Sequence, residues 1–222
     1  MHHANTKPKR KGPQRQGGRR AENKEKTKRQ ILDAALRLFS RHGFFETTTR
    51  QISREAKIAE GTLFNYFKTK EDLALYFFQQ ELAALVEWHR GQKRLAKASL
   101  PEKLFALIHR HLERISPYED FIGAVYLRSL QPVSKLSLLS LETQELNIRY
   151  LRFIQELLKE AEQRGEIPAL GEFGVYAIGL FQLAVITFWL QDTSQGKEKT
   201  LALLDRSLKV GSSILKKGGW DW

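Results

Sequence analysis

The sequence contains no cysteine and a single methionine. Without a thiol there is no disulfide framework, no thiolate metal site and no cysteine nucleophile. A chain that manages without disulfides suits a reducing, cytoplasmic setting. Neither a G-x-S-x-G elbow nor a G-x-x-x-x-G-K-[ST] phosphate loop occurs. The six histidines are scattered, and His109 and His111, two residues apart, would face different ways on a helix and make a poor metal pair. Nothing in the chain therefore points to an enzyme, a metal or a bound cofactor. Sustained apolar–polar alternation, the mark of a strand, is missing, as is any internal repeat. Residues 1–29 have no apolar core of the kind a secretory leader needs.

What the chain has in excess is positive charge, and it is placed unevenly. The net charge is +12. Residues 1–29 hold eleven Lys or Arg against Glu22 and Glu25, residues 30–70 hold seven against four acids, and the remainder is balanced with nineteen of each. The whole excess lies in the first third, which points to a polyanionic partner for that part alone. With 222 residues and 41% apolar content, the chain can build one large domain or a small domain joined to a larger one.

Residues 1–22 are rich in Pro, Gly, Gln and cations and read as a disordered basic arm, since they cannot bury enough surface to offset ordering entropy. From about Lys24 the pattern turns helical: Ile31, Ala34, Ala35, Leu38 and Phe39 recur on one face up to a stop at Gly43. Thr48 followed by Gln51 matches a capping box and opens a helix of about two turns carrying Ile52 and Ala56. A short break at Lys57–Ala59 leads to a second short helix, Glu60 to Phe67, and Thr69 or Lys70 then opens a long helix with Glu71 and Asp72 in its first turn. Further helices are expected over about 71–92, 101–116, 118–130, 134–164, 171–191 and 197–217, with Pro101, Pro132 and Pro168 at the junctions. The fold class is all-α: a basic arm at 1–22, a three-helix unit at 23–70 and a larger helical unit at 71–222.

Three short helices with a tight turn between the last two make the helix-turn-helix pattern, in which the second helix of the pair enters the major groove of double-stranded DNA. Leu63 and Phe67, four apart, can anchor that helix inward, which leaves Thr62, Asn65 and Tyr66 projecting outward, with Lys68 and Lys70 where a DNA strand would pass. The stretches "ILDAALRLFSRHGF", "TTTRQISREA" and "GTLFNYFKTKEDL" resemble the DNA-binding domain of TetR/AcrR-type transcriptional repressors, and the later "EQRGEIP" resembles the junction before that family's last two helices. The resemblance implies that Thr48 caps the second helix and touches phosphate, and that Arg50 reaches a base edge or phosphate. It places Glu60, Gly61 and Thr62 near bases. Phe64, Asn65, Tyr66 and Lys70 fall on the backbone, with Asn65 able to read a base. This chain departs from the pattern at three positions. Lys57 stands where Gly is common, and a left-handed backbone there would cost Lys about 1 kcal/mol relative to Gly. Phe64 stands where Tyr is common and has no hydroxyl to offer phosphate. Glu60 replaces a cation or amide and could accept from a cytosine amine.

Residues 71–222 would hold the sensor and the dimer contact. Phe173 to Gln191 is uncharged over nineteen residues and near membrane-span length, but Gly174, Gly179, Gln182 and Thr187 dilute it. A helix apolar on all sides can pack one face on its own domain and the other on a twin subunit. The resemblance implies a homodimer through the last two helices, a palindromic operator, and release from DNA when a ligand shifts the long helix from Glu71. Trp88, Phe105, His109, Phe121, Tyr126, Tyr150, Phe153, Tyr176 and Phe181 are candidates to line a pocket for an apolar or amphipathic small molecule. Two other readings compete: a sequence-independent architectural nucleic-acid binder using the basic arm, and a peripheral membrane protein held by the arm and the apolar helix.

Overall fold

The structure, a computed structural model, describes residues 14–217. Among these residues it is helical throughout, with no strand. The helices are α1 (Gln14–His42), α2 (Thr49–Glu55), α3 (Glu60–Tyr66), α4 (Lys70–Gly91), α5 (Leu100–Ile115), α6 (Glu119–Ser129), α7 (Leu141–Gln163), α8 (Gly171–Gln191) and α9 (Glu198–Lys217), with short 3₁₀ turns at 95–97, 116–118 and 195–197.

Boundary chemistry explains most of these limits. Thr48 and Gln51 form a reciprocal capping box at α2: the Thr48 N–H donates to Gln51 Oε1 at 2.8 Å and the Gln51 N–H to Thr48 Oγ1 at 3.2 Å. Thr69 and Asp72 repeat the device at α4, and Ser99 and Glu102 at α5. α2 ends in a Schellman motif, the Ile58 N–H bonding Ser53 O at 3.0 Å and the Lys57 N–H bonding Arg54 O at 3.1 Å. α7 ends the same way around Gly165. The left-handed residue is Gly165 (φ 69°) in one case and Lys57 (φ 55°) in the other.

The structure corrects the sequence reading in two places. α1 starts at Gln14, so residues 14–22, expected to be disordered, are helical; residues 1–13 of that arm lie outside the described residues. The extension grows from a helix already nucleated by its buried stripe at Ile31–Phe39, so each added turn avoids the nucleation cost. It is also tied down: Glu25 pairs with Lys28 at 2.8 Å and accepts from the Tyr76 hydroxyl of α4 at 3.1 Å, and the Lys28 ammonium lies 5.2 Å from the Tyr76 ring centre. The second correction is the helix expected over 134–164, which begins only at Leu141. Residues 131–140 form successive turns in which Ser134, Ser137 and Ser140 each donate their N–H to the carbonyl three residues back. The hydroxyls of Ser134 and Ser137 accept from the N–H groups of Leu136 and Leu139, giving the backbone local partners that compete with a helix.

Two apolar clusters hold the molecule. One joins the three-helix head to the body without a break: Ile31, Phe39, Phe44, Ile52, Leu63, Phe67 and Leu73 continue into Phe77, Phe121, Ile122 and Trp189. The other lies deeper in the body, where α4, α5, α7 and α8 bury Leu85, Leu104, Phe153, Leu157 and Val175. Lys103 of α5 is only 3% exposed and reaches Glu160 of α7 at 2.6 Å, a charge whose burial depends on that partner.

Candidate nucleic-acid interface

α3 is seven residues long and two-sided. Leu63 and Phe67, at 0% and 4% exposure, lock one side into the head core. The other side presents Glu60, Gly61, Phe64 and Asn65 to solvent, with Thr62 and Tyr66 half-buried beside them. The Schellman turn at Lys57 fixes the angle between α2 and α3, so the outward face of α3 and the N-terminus of α2 lie together: Thr49 Oγ1 donates to Glu60 Oε1 at 3.3 Å. Thr48 and Arg50 are exposed at that same end of α2. Glu60 thus projects an acceptor from the front of α3 while one of its oxygens is steadied by α2.

The two lysines behind α3 differ. Lys68 is exposed, and its N–H donates to Asp72 Oδ2 at 2.8 Å. Lys70 turns inward, its ammonium donating to the carbonyls of Phe44 and Phe45, both at 2.8 Å, and lying 5.1 Å from the Phe44 ring centre. Burial lowers its pKa from the ordinary lysine value. Lys70 therefore closes the corner after α1, giving two of its three N–H donors to backbone carbonyls.

Sequence reasoning missed a further element at this face. A cleft of about 450 Å³ runs between α1 and α3, lined by Arg20, Asn23, Lys24 and Thr27 on one side and Thr62, Asn65 and Tyr66 on the other. The signal was present as the i, i+3, i+4, i+7 spacing of those α1 residues, but a polar stripe in a segment read as disordered has no hydrophobic period to reveal it.

In the body, the nine aromatic and histidine candidates do not converge on one pocket. Trp88 and Phe105 line a cleft of about 780 Å³ between α4, α5 and α9. Phe181 lines a second, of about 400 Å³, between α5, α8 and α9, with Leu104, Ile167, Phe173 and Leu215. The clefts share Ser99, Pro101 and Leu208, so they form one branched trench with an apolar floor. His109 stacks on Phe105 at 5.8 Å. The other candidates lie elsewhere. Phe121 packs between head and body, Phe153 sits in the deeper core, and Tyr176 is 55% exposed. Tyr126 pairs with Thr187 at 2.6 Å. Tyr150 donates to Gln182 Oε1 at 2.5 Å, and Gln182 Nε2 meets His111 Nδ1 at 3.0 Å, a relay that ties α5, α7 and α8 together. Desolvation, with the Arg114 charge adding, lowers the His111 pKa to about 4, and burial raises the Tyr150 phenol above its ordinary range.

Comparison with known proteins agrees with the geometry. The family model described as "Bacterial regulatory proteins, tetR family" matches residues 31–77, and the one described as "Tetracyclin repressor-like, C-terminal domain" matches residues 103–221. The chain belongs to the TetR family. Members are DNA-binding transcriptional regulators and not enzymes. Among TetR relatives, the fatty acid metabolism regulator protein of Bacillus subtilis is 29% identical over 138 residues, which are 62% of this chain and 69% of the relative. The solved transcriptional regulator FadR of Bacillus subtilis, in complex with stearoyl-CoA, aligns with a TM-score of 0.64 at 25% identity over 85% of this chain and 97% of that one. The fatty acid degradation regulator FadR of Bacillus halodurans gives a TM-score of 0.62 at 25% identity over the same shares.

Proposed function

We propose that the protein is a cytoplasmic homodimeric repressor that binds a palindromic operator through α3 of each subunit and is released by an amphipathic ligand with a long apolar chain, of the fatty acyl thioester class. The observation that carries the DNA half of this reading is the two-sided α3: core anchors Leu63 and Phe67 fix it in place while Glu60, Gly61, Phe64 and Asn65 are exposed on the other side. Thr48 and Arg50 at the start of α2, and Lys68 behind α3, flank that face for phosphate contacts; Glu60 and Asn65 are placed to read base edges.

Dimerisation is supported by apolar stripes that one chain leaves uncovered. Phe173, Tyr176, Leu180 and Phe188 of α8 are exposed at helical spacing, as are Leu203, Val210 and Ile214 of α9. α8 is long and apolar enough to cross a bilayer by length and composition. A twin subunit covers the same stripe in a DNA-binding protein, and a two-fold axis through these helices matches an inverted repeat. The ligand class is supported by the apolar floor of the branched trench and by the stearoyl-CoA bound to the similar FadR of Bacillus subtilis.

The test is selection from a random duplex library at near-physiological salt. Enrichment of one inverted repeat is the expected outcome, and stearoyl-CoA should then dissociate the complex with that repeat. A pool that binds without enrichment would overturn the reading in favour of a sequence-independent nucleic-acid binder.

A further inference from the structure

The part of α1 ahead of residue 31, where the family match begins, has no role in the reading so far. Residues 14–30 hold seven Lys or Arg and only Glu22 and Glu25 as acids. Glu25 is turned away to Lys28 and Tyr76, and those contacts brace the extension against α4. On another face, Arg20, Asn23, Lys24 and Thr27 form a single stripe along the cleft, opposite the outward side of α3. Both walls are polar, so closing them on each other would bury no apolar surface and bring no hydrophobic gain. Among the described residues the lining includes two cations and no carboxylate. Arg20 and Lys24 are exposed, and neither takes part in an ion pair among the described residues. A braced helix that holds unpaired cations beside a recognition helix complements one kind of occupant, a chain of phosphates.

We propose that this cleft seats the sugar–phosphate backbone of the duplex that α3 reads. One strand passes between α1 and α3. Arg20 and Lys24 neutralise its phosphates from one wall, while the Tyr66 hydroxyl donates to it from the other. The head therefore grips DNA with two helices rather than with α3 alone, and the α1 wall adds affinity without reading sequence. This rests on α3 being the recognition helix.

The experiment uses the full-length chain with Arg20→Gln and Lys24→Gln together, titrated against the selected operator and a scrambled duplex over a series of salt concentrations. The expected result is that both duplexes weaken by the same factor and the preference between them is kept. The salt slope should fall by about 0.9 per lost contact, so by about 2 per subunit. An unchanged affinity and slope would overturn the proposal, and so would a loss confined to the operator, which would mean that these side chains read bases. Asn65→Ala, run in parallel, should erode the preference, separating failure of the cleft from failure of α3. A wild-type protein that prefers no duplex would sink the α3 reading, while the slope comparison would still decide the cleft. Both substituted side chains are exposed, so the melting temperature should hold. If it does not, Lys24→Gln alone should still remove about one unit of slope per subunit.

Discussion

Lys57 carries a conformation that its side chain does not favour. Its φ of 55° is forced by the Schellman turn that ends α2, and that turn sets the α2–α3 angle. An L-residue in this region costs about 1–2 kcal/mol, part of which Gly would return as extra freedom in the unfolded chain. Lys57→Gly should therefore raise stability by about 0.5–1 kcal/mol, readable as an upward shift of the urea midpoint at constant slope. No stabilisation would mean that the turn relaxes at little cost. The family position where Gly is common was legible in the sequence, and so was the penalty; the hydrogen bonds that impose the angle were not. Lys70 shows a related limit at this scale. A cation after an aromatic run looks like a phosphate ligand, and only the fold brings the carbonyls of Phe44 and Phe45 to its ammonium.

Between elements, the relay Tyr150–Gln182–His111 should give the body a pH dependence. Gln182 Oε1 is occupied by the Tyr150 hydroxyl, so its amide N–H donates to His111 Nδ1, and a proton at Nδ1 would set donor against donor. Unfolded, His111 titrates near 6.5; folded, near 4. Between these values the unfolded chain binds more protons, so the stabilisation is complete above about pH 6.5 and is lost as pH falls toward 4. The loss at pH 5 should be about 2 kcal/mol relative to pH 7.5, measured by urea unfolding, and His111→Gln should remove most of that difference. A variant as pH-sensitive as the wild type would refute this account. His89, half-buried with the Lys103 charge nearby, is lowered in the same direction and adds to the loss. Element limits were legible where side chains cap helices, as at Thr48, Thr69 and Ser99. They were not where serines compete for the backbone, as at 134–140, or where an unpatterned basic helix is held by Tyr76, fifty-one residues from Glu25.

At the scale of the whole molecule, Phe121 decides whether head and body act as one. It is 1% exposed and packs on Phe39 at 5.0 Å, Phe77 at 5.4 Å and Phe44 at 5.7 Å, so α6 touches the head directly as well as through α4. Phe121→Ala should cost about 3–5 kcal/mol. It should also separate two transitions that coincide in the wild type: tryptophan fluorescence, which reports residues beyond 87, and far-UV circular dichroism, which reports all helices. Coincident transitions in the variant would show that α4 alone carries the connection. The sequence marked Phe121 as a pocket candidate because an aromatic on an apolar face does not encode which neighbour it meets.

α1 has one end against that aromatic joint and the other beside α3. From Phe39 to Arg20 it is an unbroken helical run of nineteen residues, about 28 Å at 1.5 Å per residue, so a tilt of about 5° at the joint carries Arg20 through about 2.5 Å. That is nearly the length of a hydrogen bond. A ligand in the body would not need to move the head bodily to loosen its hold: a change too small to disturb the packing around Phe39 would, at the far end of this lever, draw a cation out of reach of a phosphate.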